Sequence, residues 1–160
     1  MEVQSEYEKY LVAFFGDSPV YYLTAHRNQI AHGDRGFNIA AFLLGVFWFL
    51  YRKMYGYAIS VFVILFAIDK IIQLLIWSVP HYKEALGFVS IFITLAASIV
   101  MGFKGTSLYL GYADRKVHQI MAMYPDEAQR MEALKKTGGT SLLLPWVAAG
   151  ILVLLFLLGF

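Results

Sequence analysis

Residues 37–77 read FNIAAFLLGVFWFLYRKMYGYAISVFVILFAIDKIIQLLIW, a run too continuously apolar for a soluble core. Two charged pairs interrupt it, Arg52-Lys53 early and Asp69-Lys70 late. An ordinary membrane span carries no such charges, so the run must break or bury them for a reason. The whole chain points the same way. Of its 160 residues, 59% are hydrophobic and only 15% charged, against about half and about a quarter in soluble domains. The expected class is an all-α integral membrane protein forming one domain.

Three segments are long enough to span a bilayer, which takes about 20 apolar residues. They are 54–79, 85–103 and 142–160. A fourth piece, 39–51, reaches only roughly 20 Å as a helix, about two thirds of the hydrocarbon thickness. Extending it through Arg52 and Lys53 would bury both at a cost of about 2.5–3.5 kcal/mol each. The basic pair therefore marks a membrane surface, and 37–53 is read as one short interfacial or re-entrant helix. Five Lys and Arg residues precede residue 54 and six lie in 104–141, while the 80–84 turn has only Lys83. This asymmetry puts the N-terminus and 104–141 in the cytoplasm and the 80–84 turn outside. The acidic, polar start, MEVQSEYEKY, argues against a cleaved signal peptide.

The polar parts have helical patterns. Tyr7, Tyr10, Leu11 and Phe14 share a face in the first segment. GDSP stops this helix and starts a second with Pro19 in first position, and together they make a cytoplasmic N-terminal unit over 1–36. Leu110, Ala113, Val117 and Ile120 form a further stripe, which Pro125 ends. The next short helix, 126–136, runs from acids to lysines as the helix dipole favours. Thr140 or Ser141 is positioned to cap the last span.

Chemistry-bearing residues are few. Asp69 and Lys70, inside a span, are either an ion or proton site or a polar contact that fixes packing between helices or subunits. Successive helical residues point about 100° apart, so the two are not expected to neutralise each other. One isolated pair makes a poor relay, which favours packing. The histidines lie in separate segments, with no HExxH and no His–carboxylate pair at ligand spacing, so no metal is expected. With no cysteine, thiolate sites are excluded. Lys135, Lys136, Gly138, Gly139, Thr140 and Ser141 superficially resemble a phosphate loop but lack its ending and its strand. They can instead contact a lipid phosphate, or simply stop one helix and cap the next. Ser98-xxx-Gly102 is a small-residue pair of the kind that lets membrane helices approach. No cofactor is implied, and a net charge of +2 does not argue for nucleic acid.

FNIAAFLLGVFWFLYRKMY (Phe37–Tyr55) resembles the signature of the bacterial inner-membrane family catalogued as domain of unknown function 2628. GTSLYLGYADRKV (Gly105–Val117) and LKKTGGTS (Leu134–Ser141) resemble its second and third motifs. Val46 departs from a proline seen in many members, which suggests a straighter short helix. The resemblance implies a bacterial inner-membrane location but no activity. All three motifs fall near the expected cytoplasmic face, which suggests one surface suited to a protein partner or self-assembly. The leading expectation is a non-enzymatic scaffold or accessory protein, homo-oligomeric and in contact with membrane lipids. The alternative is a small oligomeric ion or proton channel or transporter using Asp69 and Lys70.

Overall fold

The computed structural model describes residues 2–32, 36–78 and 82–158. The expected outer turn at Pro80, the C-terminal Phe160 and the basic residue Arg35 lie outside the described residues. The elements are all helices: α1 Glu2–Phe15, α2 Pro19–His32, α3 Ile39–Leu44, α4 Val46–Tyr51, α5 Tyr55–Ile76, α6 Tyr82–Met123, α7 Glu127–Thr137 and α8 Leu143–Leu157. Among the described residues there is no strand.

The apolar faces sort these helices into a packed head and an open stem. In the head, α1 lies on α2, α6 and α7. It buries Tyr10, Leu11, Phe14 and Phe15 against Tyr22, Leu110, Ala113, Val117 and Leu134. The stripes anticipated at helical spacing are thus the ones that pack. Asp126 caps α7 by accepting from the Gln129 amide at 2.9 Å, with Glu127 in the first turn and Lys135 and Lys136 in the last.

The stem consists of α5, the first half of α6, and α8. Its large side chains face outward, Phe62 at 59% exposure and Phe92 at 71%. By length and composition α5 and α6 can cross a membrane, and their most apolar windows are only 0% and 11% buried. The core helix of a soluble protein would show mostly buried side chains there. The third expected span is shorter than its apolar run: α8 has 15 residues, or roughly 22 Å, against a hydrocarbon thickness of about 30 Å.

Two boundaries differ from the sequence expectation. The division between a span over 85–103 and a separate helical segment from 104 does not exist, because α6 runs unbroken for 42 residues. No proline interrupts it, and the stripe from Leu110 to Ile120 continues to be buried on α1 beyond the apolar half. The expected single helix over 39–51 is two helices of six residues each. Gly45, at φ 53° and ψ −124°, breaks the run in a conformation that side chains resist. Val46 does not straighten it, since residue 46 is the first of α4, where proline would also fit.

Candidate functional site

The broken segment 38–52 leaves α6 and returns to it. At its start, buried Asn38 donates its amide to the Gly102 carbonyl at 2.8 Å and its Nδ2 to Thr106 Oγ1 at 3.2 Å. Its Oδ1 accepts from the Ala41 amide at 2.8 Å, capping α3. The Gly45 bend lies beside Met101. On the way back Trp48 meets the Tyr109 ring at 6.1 Å. The close approach needs Gly105, where a Cβ would come within 2.7 Å of Ala41 Cβ and 3.6 Å of the Trp48 ring. The small pair Ser98-xxx-Gly102 is partly used within the chain, since the ring of Phe37 and the Cβ of Phe42 cover Gly102.

Arg52 closes the unit. Only 6% exposed, its guanidinium lies 4.5 Å from the Tyr22 ring centre, 5.2 Å from Tyr109 and 5.5 Å from Tyr51. Its Nε and Nη1 are buried without a hydrogen-bond partner. Taking this ion from water costs several kcal/mol, and each desolvated ring can return about 2 kcal/mol. Burial pushes the phenols of Tyr109 and Tyr22 up, while the Arg52 charge pulls them down. Among the described residues Arg52 thus works as a packed cation, with no carboxylate paired to it.

The neighbouring Lys53 adopts φ 57° and donates Nζ to the carbonyls of Lys136 at 3.0 Å and Gly138 at 2.6 Å. The Gly139 amide donates to the Phe14 carbonyl at 2.7 Å and the Ser141 amide to the Tyr51 carbonyl at 2.9 Å. Thr140 donates to Asp17 at 3.0 Å. Lys135 and Lys136 stand exposed beside this turn. Two of the amides that a phosphate would use are therefore committed to carbonyls, and the turn staples α7 to α1 and α4. Tyr112 adds a hydrogen bond to the Lys53 carbonyl at 3.3 Å. The three motif segments do meet, but their large residues Trp48, Tyr109 and Leu134 are buried. Aromatic side chains from the first two motifs cover one another and the third is stapled beside them, giving a joint between head and stem.

Asp69 and Lys70 lie far from this joint. Ser90 of α6 donates to Asp69 Oδ1 at 3.2 Å. Contrary to the angular argument, Lys70 Nζ reaches back to Asp69 Oδ2 at 3.5 Å, because its long flexible chain spans the angle between adjacent positions. It also donates to Gln73 at 3.3 Å and lies 5.4 Å from the Phe66 ring centre. The two side chains remain 41% and 51% exposed.

A polar clasp in the head joins residues that sequence reading kept apart. Asp114 accepts from Tyr7 at 2.8 Å, and its Oδ1 lies 3.2 Å from His26 Nε2. His118 Nδ1 donates to the Asp114 carbonyl at 2.8 Å, and its ring lies tilted at 45° to that of Tyr7, with ring centres 5.1 Å apart. Burial, then the bond to Asp114, holds the Tyr7 phenol well above its ordinary value. The clasp fixes α1 and α2 on α6. No group of three or more His, Cys, Asp and Glu residues that could hold a metal ion occurs among the described residues.

Residues 10–115 match the family described as Protein of unknown function (DUF2628). The chain belongs to this family. No curated protein and no solved structure matches it. The DUF2628 match takes in α3, α4, α5 and most of α6, hence the whole contact of 38–52 with α6. It ends before Leu134–Ser141, so the third motif lies outside the matched range. What sequence reading missed in this DUF2628 chain is the His26–Asp114 contact, 88 residues apart. Only the buried faces of α2 and α6 bring the two together, and no local spacing signals it.

Proposed function

We propose that this protein is a non-enzymatic scaffold or accessory protein of the bacterial inner membrane that self-associates through its stem. In this reading α5 and α6 span the bilayer, and α8 with its flanking apolar residues crosses as a third, minimal span. The head lies in the cytoplasm, where the excess of Lys and Arg belongs. The 38–52 unit enters the cytoplasmic leaflet beside α6 and returns, held at its mouth by Asn38 and Arg52.

The observation that carries the reading is the exposure of Asp69 and Lys70 on a span. Charged side chains are costly in hydrocarbon and normally face a helix bundle or a cavity. Covered only in part by Ser90, Gln73 and Phe66, this pair calls for a partner helix, and a second copy supplies one. The test is the particle mass in detergent and in nanodiscs. Wild type should form a multimer, and Asp69→Leu with Lys70→Leu should shift it toward monomer. A wild-type monomer that retains no partner would refute the proposal.

One observation favours the channel reading. Asp69, Ser90 and Thr94 line a small cavity of about 70 Å³ between α5 and α6, with Leu65 and Ile93. A conducting path through it would lose ion flux in proteoliposomes on Asp69→Asn while the assembly stayed intact.

A further inference from the structure

Where α5 begins, a cleft of about 410 Å³ opens between it and α6. Lys53, Tyr55, Gly56, Tyr57, Ser60, Tyr112 and Lys116 line it, so it holds two ammonium groups and four hydroxyls but no carboxylate. Arg115 donates to the Tyr57 hydroxyl and adds a third cation at the edge. The first-turn amides of Tyr55, Gly56 and Tyr57 have no carbonyl within α5 to bond, and the N-cap residue Met54 offers no side-chain cap. The positive end of a 22-residue helix therefore reinforces the two lysines. Neither lysine is neutralised: Lys53 Nζ is held by two backbone carbonyls, and Lys116 Nζ bonds the neutral Gln119 at 3.2 Å. This is anion-binding chemistry.

The surface leading away from the cleft narrows the class of anion. Three and four residues beyond Ser60 come Val63 and Ile64, followed on the same helix face by Ile71 and Leu74. They are exposed at 55%, 57%, 56% and 71%. A polar, cationic cleft thus sits at the head of a largely apolar track, flanked only toward its far end by Lys70. A ligand matching both parts carries a negative head and hydrocarbon tails.

We propose that this cleft binds the phosphodiester headgroup of an anionic glycerophospholipid, whose tails lie along Val63, Ile64, Ile71 and Leu74. The proposal rests on the reading of α5 as a membrane span. Tyr55 and Tyr57 hold the glycerol level with their hydroxyls, and Lys116 supplies the charge that distinguishes anionic from zwitterionic lipid. Lys53 serves twice, fastening α7 and facing the headgroup. The site is separate from the exposed lysines at the end of α7.

The test uses the full chain in detergent, with lipid binding followed by native mass spectrometry and by the apparent melting temperature. Phosphatidylglycerol, phosphatidylcholine and inorganic phosphate are the three probes. Phosphatidylglycerol should bind at least fivefold more tightly than phosphatidylcholine, and inorganic phosphate should leave the melting temperature unchanged. Lys116→Ala should weaken phosphatidylglycerol about fivefold and Lys116→Glu about thirtyfold. Lys135→Ala, which alters only an exposed charge on α7, should change nothing. Equal binding of the two lipids, an unaffected Lys116→Glu variant, or an equal loss in Lys135→Ala overturns the proposal. Protection by inorganic phosphate alone would make it a free-phosphate site and overturn the lipid assignment. Carbonate extraction of the membranes separates the two levels of failure. A chain released by carbonate refutes the spanning reading, whereas a retained chain indifferent to headgroup charge refutes only the lipid site.

Discussion

Gly105 offers the sharpest test of how the 38–52 unit is seated. Glycine inside a helix is costly, and Gly→Ala in open surroundings should stabilise by about 1 kcal/mol. Gly111, on the same helix with no atom within 4 Å of where a Cβ would stand, is that open case. At Gly105 the added methyl meets Ala41 Cβ at 2.7 Å, well inside contact distance, and Ala41 belongs to a packed helix and is itself fully buried. Overpacking of this kind costs about 1–3 kcal/mol. Because the propensity gain is common to both sites, the difference between the two variants isolates the clash. For a chain of this size that difference corresponds to about 2–12 °C in melting temperature. The assay is a thermal melt of the detergent-solubilised protein followed by tryptophan fluorescence, for which buried Trp48 is well placed. Gly111→Ala should melt above wild type and Gly105→Ala clearly below Gly111→Ala. Adding Ala41→Gly to Gly105→Ala should recover much of the difference, since it removes the methyl that is struck. If Gly105→Ala melts with Gly111→Ala, α3 is not seated on α6 at this point and the account of the joint is wrong.

Other consequences follow from the same contacts. Asn38→Ala should cost about 2 kcal/mol, by losing the α3 cap and leaving the buried Thr106 hydroxyl without its donor, whereas Asn38→Ser should keep part of the cap; the same melt checks both. Gly138→Ala should undock α7, because its Cβ would run into the Phe14 carbonyl, and limited proteolysis between α7 and α8 should accelerate. Tyr109 predicts an alkaline weakness. Its folded-state phenol is raised above the ordinary 10.0 by burial, so above pH 10 the unfolded chain releases a proton that the native state keeps, and stability falls as pH rises. Melts between pH 8 and 11 should decline more steeply for wild type than for Tyr109→Phe. A parallel decline would place the titrating group elsewhere.

How much of this was legible in the sequence depended on whether a signal was local. The amphipathic stripes of α1 and the second half of α6 and the acid-to-base polarity of α7 are all periodic or positional. Each emerged as expected. The charged pair at 52–53 coincides with the end of the short apolar piece, but the burial of Arg52 among tyrosines has no local signal. That outcome depends on Tyr22 and Tyr109, which lie 30 residues before and 57 after it, and no spacing encodes their convergence. The break at Gly45 was visible as a glycine but not as a bend, since its backbone angles are imposed by the packing of α3 on α6. The Asp69–Lys70 contact is hidden for a different reason: helix geometry fixes only the direction of departure from the backbone, and the lysine chain is long enough to span the angle.

The unbroken α6 has a mechanical implication. At roughly 63 Å it is one rigid member shared by both halves of the molecule, and α1, α2 and the 38–52 unit are all fastened to it. In a bilayer, a change of tilt in its apolar half is transmitted without a joint to absorb it. A rotation of about 10°, well inside the ordinary range of helix tilts, would carry the far end, ~30 Å beyond the apolar half, sideways by roughly 5 Å. In the proposed membrane-spanning arrangement the head would swing with any such tilt.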